Sequence, residues 1–395
     1  MEEFDLDKRI FKGLEGLDML KFAIINLVSC NGTKSISFSE VSCDYEVLRD
    51  KTDRRTCFFP FQLIFNYGVS FLESLEKASS DDIKNMEPHM KKAVLRLNAF
   101  YKSIEYNQTC LKKVFDMKLK GEEMAATETD ISITLAEHLL GKLAPGESYK
   151  IDNKAREKKS CRCGCKVTPV FDGTGIGHEQ VWHGFIDIVF SSHLGIHSMA
   201  NAVLDIEENI SKKRRVDEQD ETKNDDSPGG KTITQVKQPL SENMLSQAIA
   251  QTIVFSLVQK QKHPEFLHHM IPNIVISPEK LEIMMYDSDN DVLLCSNPIL
   301  LFNLDLPDDR TLIDETVLII WMVLHYRIFC SGLNKANPYL LERCKSNFRQ
   351  LVASKWDIYS KSLKSCVPGF PSVEKWPISE LIQCGKKLKF ESDDF

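Results

Sequence analysis

No segment of this 395-residue chain is apolar for long enough to span a bilayer. The most apolar stretch, residues 317–324 within 316–330, runs straight into His325 and Arg327 and falls well short of the ~20 residues a bilayer requires. It reads instead as a buried helix. Glycine (18) and proline (15) are scarce, which excludes collagen-like and wholly disordered classes. The N-terminus carries no charged-then-apolar run ending in small residues, so an intracellular protein is expected. Nor is positive charge in surplus: 50 Lys and Arg stand against 57 Asp and Glu, a formal charge of −7. That excludes a uniformly basic nucleic-acid coat while leaving room for a local basic channel. The length is enough for two or three domains, or one elaborated domain, with a sizeable core.

Cysteine, in contrast, is plentiful at 12 residues. Cys30, Cys43, Cys57, Cys110, Cys295, Cys330, Cys344, Cys366 and Cys384 are scattered singly among apolar or helical segments, as reduced core thiols of an intracellular protein are. The remaining three, Cys161, Cys163 and Cys165, form a C-x-C-x-C cluster. Thiolates at that density suit a structural Zn²⁺, which takes four N or S ligands. The spacing is not the C-x-x-C of a knuckle, and the fourth ligand is open, with His178 and His183 lying downstream. Free or redox-active surface thiols are the alternative.

Three regions follow from the patterning. Residues 1–125 read as helical: Ile10, Leu14, Leu17, Phe22 and Ile25 recur every third or fourth residue, and residues 90–117 repeat that spacing. Lys91, Lys92, Arg96, Lys102, Lys112, Lys113 and Lys118 accompany it, as a solvated face or a stripe along a phosphate backbone. Residues 126–300 switch period. A helix over 131–143 precedes strands at 167–171, 180–190 and 202–206, then a helix over 241–261 and strands at 271–277, 281–286 and 292–295. The Gly-rich stretch Asp172-Gly173-Thr174-Gly175-Ile176-Gly177 has no following helix and reads as a hairpin turn rather than a dinucleotide fingerprint. Residues 301–395 are helical again, over 312–333 and 338–363.

Within the middle region, residues 209–238 are dense in charge of both signs and nearly devoid of apolar side chains, so they are expected to form a disordered insert. Their run Lys212, Lys213, Arg214 and Arg215 would suit a nuclear-import receptor or be a plain solvated loop, so nuclear and cytoplasmic locations both stay open. His193 and His197 are four apart, but Gly195 between them argues for a loop or core role rather than a helical metal pair.

The chemistry is expected in two acidic strands. Asp187 sits in the apolar run VWHGFIDIVF, where a carboxylate costs free energy unless it is paired or metal-bound. In AVLDIEEN, Asp205 and Glu207 share a face at i and i+2. If these strands are neighbours, Asp187, Asp205 and Glu207 form an oxygen-rich site suited to Mg²⁺ or Mn²⁺.

G-F-I-D at 184–187, V-L-D-I-E at 203–207 and the following helix with Gln247 and Gln251 resemble the RecB-like and lambda-exonuclease-like branch of the PD-(D/E)XK nuclease superfamily. The resemblance covers the middle region. It implies an α/β fold with a mixed-sheet, restriction-endonuclease-like core flanked by helical regions, in which a helix Glu, a G-x-x-D strand, a (D/E)-x-K strand and a Q-x-x-x-Y helix surround one or two Mg²⁺ ions. By that resemblance Glu137 matches the helix carboxylate, Asp187 and Asp205 the strand ligands, and Gln247 or Gln251 the helix glutamine, with Phe255 in place of Tyr. The family lysine is missing, and Glu207 stands at its position. The function expected is therefore a Mg²⁺- or Mn²⁺-dependent nuclease acting on DNA in preference to RNA, with Asp187, Asp205, Glu207, Glu137, Gln247 and Gln251 as its site. A catalytically inactive relative that binds nucleic acid or protein is the alternative, and a helical scaffold with incidental acidic strands a third.

Overall fold

The computed structural model describes residues 6–49, 55–79, 82–83, 85–119, 126–146, 148–154, 159–190, 198–202, 242–266, 268–303, 310–333 and 338–367. The insert 209–238 with its Lys212–Arg215 run, His193, His197, Asp205 and Glu207 lie outside these residues.

Helices and strands are mixed throughout. In chain order the strands are β1 (Lys21–Cys30), β2 (Ile36–Ser37), β3 (Cys43–Val47), β4 (Phe58–Pro60), β5 (Tyr149–Asp152), β6 (Phe171–Asp172), β7 (Ile176–Gly177) and β8 (Trp182–Gly184). They continue as β9 (Ile188–Phe190), β10 (Ser198–Ala202), β11 (Met270–Ile276), β12 (Lys280–Asp287), β13 (Val292–Ser296), β14 (Ile299–Leu300) and β15 (Lys364–Ser365). An 11-stranded sheet runs β3-β1-β13-β12-β11-β10-β9-β5-β6, with β4 beside β1 and β14 beside β12, and a 4-stranded sheet runs β15-β7-β8-β2.

The centre of the large sheet follows from its residues. β11, MIPNIVI, is buried along its whole length, as a strand covered on both faces must be. Its one polar side chain, Asn273, donates to Thr252 Oγ1 at 3.0 Å from the helix Glu242–Lys262, so burial leaves its amide partnered. That helix is buried at every position from Ala248 to Gln259, because it packs on β11 and β12 on one side and on β7 and β8 on the other. β10 and β11 are parallel and joined through this helix, whereas β5, β9 and β10 are successively antiparallel. From residue 128 to 276 the large sheet therefore receives β5, β9 and β10 in antiparallel succession, with β6 parallel to β5 at the edge, and β11 parallel to β10 after the helix, while β7 and β8 belong to the small sheet.

Four local expectations are corrected. Phe22 and Ile25 are not on a helix: a single 3₁₀ turn, Leu17–Met19, leads into β1, which pairs with the distant β13. Ile10 is helical, on Arg9–Lys12, but from residue 21 onward non-local strand pairing overrides the helical spacing. The stretch 90–117 is two helices, Pro88–Lys102 and Ile104–Leu119, broken at Ser103, whose hydroxyl bonds back to the Ala99 and Phe100 carbonyls. The run 180–190 is split, β8 joining the small sheet and β9 the large one, and the hairpin turn lies at 178–181 rather than in the Gly-rich stretch. In the C-terminal region the two long helices are short pieces, among them Asp314–Leu324, Tyr326–Phe329 and Trp356–Lys361. Among the described residues no helix is long and apolar enough to cross a membrane.

Candidate metal centre

The C-x-C-x-C cluster has a fourth partner upstream. Thr127 opens the helix Glu128–Leu135 with a capping box: its side chain accepts the Asp130 N–H while the Asp130 carboxylate accepts the Thr127 N–H. The helix then widens into a π turn over Ala136–Leu140 before closing at Gly141–Leu143. Such one-turn bulges displace side chains from α-helical positions and concentrate at functional sites. This one holds Glu137 and His138. Gly141 is what lets it form: its N–H bonds the Ala136 carbonyl, and a Cβ there would stand 2.3 Å from that oxygen.

His138, Cys161, Cys163 and Cys165 bring their ligand atoms within 4.8 Å of one another, the first three residues buried and Cys165 partly so. His138 Nε2 lies 3.1 Å from Cys163 Sγ and 3.7 Å from Cys161 Sγ, and the two sulfurs are 3.4 Å apart. A tetrahedral Zn²⁺ with Zn–S of about 2.3 Å and Zn–N of about 2.0 Å would set S···S near ~3.8 Å and S···N near ~3.5 Å. The four atoms are thus gathered to the size of one ion, and the donor set is the Cys₃His of closed structural zinc sites. His178 and His183 are not the fourth ligand. His178 Nδ1 accepts the Gln180 N–H, and His183 Nδ1 meets the Val181 carbonyl.

The surroundings orient these ligands. His138 Nδ1 faces Asn107 Oδ1 at 3.4 Å, and Asn107 is in turn anchored through its amide to Ser103 Oγ at 3.0 Å. An amide oxygen can only accept, so His138 carries its proton on Nδ1 and turns the Nε2 lone pair to the sulfurs. Burial also holds the imidazole below its ordinary pKa, against the pull of Glu137, and so favours the neutral ring that a metal ligand requires. On the loop, Gly164 takes φ +98°, a left-handed turn that folds the alternate cysteines inward. Lys113 Nζ caps the loop by donating to the Cys163 carbonyl at 2.7 Å. The buried Asp130 carboxylate ties the loop to the helix start through Lys159 at 3.1 Å and Arg162 at 3.3 Å. Burial alone would raise the Asp130 pKa, but its hydrogen bonds to Thr127 and Lys159 bring it below the usual value. Three thiolates around Zn²⁺ would carry a net −1, and Lys113 places a positive charge at the cysteine loop, on the Cys163 carbonyl. A fifth thiol, the buried Cys110 of the helix Ile104–Leu119, stands outside the four-residue set.

The acidic residues are distributed differently. Glu137 is held by the Tyr149 hydroxyl at 2.8 Å and Lys142 at 3.2 Å. Asp187 lies at the bend just before β9, half-buried, and its carbonyl accepts the Asp152 N–H at 3.0 Å. Asp152 in turn pairs in register with Asp172, so three aspartates stand side by side at the ends of β6, β5 and β9. Neither Asp152 nor Asp172 was apparent in the sequence, because only the sheet order makes them neighbours of Asp187. Asp172 is bound to Lys150 at 2.9 Å, and burial raises the Asp152 pKa. Gln251 is buried and donates its amide to the Phe185 carbonyl at 3.0 Å, two residues before Asp187. Gln247, one turn earlier, is half-buried.

His138 was missed because it is 23 positions before Cys161 and belongs to another element. Its only signal was a histidine beside Glu137 on a predicted helix. Comparison with known proteins adds nothing to this geometry: no family model, curated protein or solved structure matches the chain.

Proposed function

We propose that this chain is a nuclease-fold protein that hydrolyses phosphodiester bonds with Mg²⁺ or Mn²⁺, acting on DNA in preference to RNA, with its helix–loop corner held by Zn²⁺. The observation that carries the reading is the contact between Gln251 and the segment Gly184–Asp187: the buried glutamine of the helix Glu242–Lys262 donates to the Phe185 carbonyl. This unites two of the motifs on which the resemblance rests. Within the large sheet, the antiparallel succession β5, β9, β10 and the parallel β11 reached through the helix support a mixed-sheet core, to which β6 adds a parallel edge strand. Asp187, with Asp205 and Glu207 of the acidic strand, would hold the catalytic metal, Glu137 would serve as an outer carboxylate, and Gln247 and Gln251 would position the site. When bound there, Mg²⁺ acidifies a water and polarises the scissile phosphate.

A second reading rests on Glu207, which occupies the position of the family lysine that stabilises charge on the phosphate. Without that cation the fold would serve as an inactive module binding nucleic acid or protein. Mg²⁺-dependent cleavage of a labelled DNA by wild type, Asp187→Ala and Asp205→Ala separates the two. The nuclease reading expects losses of about a hundredfold or more in each variant, and cleavage surviving both substitutions overturns it. Absence of wild-type cleavage, together with no heat on calorimetric titration of the folded protein with Mg²⁺, favours the inactive module.

A further inference from the structure

The segment Gly184–Asp187 keeps one large apolar side chain at the surface. Phe185 is 42% exposed, whereas Trp182, Ile186 and Ile188 around it are fully buried. Its backbone is pinned on both sides, by the Gln251 amide on its own carbonyl and by the Asp152 N–H on the Asp187 carbonyl. An exposed ring two residues from a candidate metal ligand therefore stands on the short connector between β8 and β9, whose backbone is held at both carbonyls. Lys154, also exposed, holds its ammonium 5.8 Å from the ring centroid. The Gly-rich stretch lies along another edge, where a Cβ at Gly175 would stand 3.4 Å from the ring. An exposed aromatic face with an exposed lysine ammonium beside it is the combination that receives a nucleobase and its phosphate. At 5.8 Å the ammonium contact is loose, so a base can take its place on the ring while the lysine turns to the phosphate.

We propose that Phe185 is a stacking platform for an unpaired nucleobase beside Asp187, so that the substrate enters this site as a single strand or a frayed end. The proposal rests on the nucleic-acid reading above and adds the substrate class. Bases inside a duplex are stacked on one another and offer no free face to a fixed ring, whereas unpaired bases of any sequence do.

The test uses the full chain without added Mg²⁺, fluorescein-labelled oligo-dT and a blunt duplex of equal length, with affinity read by anisotropy. Phe185→Ala is expected to weaken single-strand binding about 5- to 100-fold and to leave duplex binding unchanged. Phe185→Trp is expected to retain affinity and to show indole fluorescence quenching when the strand binds. Val170→Ala, which removes a side chain that is 58% exposed, serves as the surface control and is expected to match wild type. Circular dichroism and zinc content establish that each variant is folded. Unchanged single-strand affinity in Phe185→Ala, equal losses for single strand and duplex, or no oligonucleotide binding by wild type would each overturn the platform. Cleavage is scored separately. Quenching without cleavage leaves the platform standing while the nuclease reading falls, and cleavage with unchanged binding by Phe185→Ala does the reverse.

Discussion

Replacing Asn107 by Leu tests the metal centre through a residue that touches no metal. Asn107 is 1% exposed and fixed by its bond to Ser103, and its Oδ1 is the acceptor facing His138 Nδ1 at 3.4 Å. Leucine fills similar volume but accepts nothing, so the Nδ1 proton is left buried without a partner and the ring is free to turn Nε2 away from Cys161 and Cys163. Loss of such an outer partner costs 10- to 100-fold in metal affinity, or about 1.4 to 2.7 kcal/mol, in line with the ~1–3 kcal/mol of an unsatisfied buried donor. The assay is competition for Zn²⁺ with a chromophoric chelator, alongside elemental analysis and thermal unfolding with and without chelator. Wild type is expected to hold one zinc per chain and to melt lower when stripped, because binding energy is folding energy at such sites. Asn107→Leu should keep that stoichiometry but yield its zinc to 10- to 100-fold weaker competition, and Cys163→Ser should fail to retain zinc through purification. Affinity should also fall as pH is lowered. In the metal-free protein burial pushes the Cys161 thiol up to about 12 and the Cys163 thiol up to about 11, so protons must be displaced when the ion binds. Wild-type protein without stoichiometric zinc, and with a melting temperature indifferent to chelator, would refute the centre. Undiminished affinity in Asn107→Leu would refute the role given to its amide.

Two further outcomes follow from the same geometry. Gly141→Ala should lower stability despite alanine's better helix propensity of ~1 kcal/mol, because its Cβ would meet the Ala136 carbonyl at 2.3 Å and only a backbone shift relieves that. A net loss of about 1–2 kcal/mol in urea unfolding, with weaker zinc retention, is expected, and wild-type values in both would mean the π turn is dispensable. His268 is buried, its Nε2 facing the Cys330 carbonyl at 3.0 Å, and burial, with Arg327 beside it, lowers its pKa from 6.5 to about 4. The unfolded chain therefore takes up a proton between these values that the folded chain refuses. The stability is complete above pH ~6.5 and is lost as pH falls toward 4, by on the order of 3 kcal/mol. Urea midpoints at pH 7.5 and 5 should show the decline in wild type and a smaller one in His268→Gln, while equal declines in both would assign the slope elsewhere.

Much of the fold is legible where periodicity and burial agree. The helix Glu242–Lys262 and β11 to β13 lie within a residue or two of their positions read from sequence, because uninterrupted apolar runs bounded by turn residues leave little choice of period. The C-x-C-x-C cluster and the local weight of Asp187 were equally visible, since thiol density and a carboxylate in an apolar run are properties of a few consecutive residues. Tertiary structure alone decided the rest. β1 is a strand because β13 supplies its hydrogen bonds from more than 250 residues away, and a helical spacing of Leu17, Phe22 and Ile25 cannot register that. The run 180–190 divides because two sheets compete for it, and the division sets Phe185 at the surface between them. His138 joins the three cysteines as a candidate ligand only when a π turn, a glycine that permits it and a loop 23 positions later converge. Local sequence determined which side chains could bind metal. Pairing between distant segments, which no short window encodes, decided which of them meet.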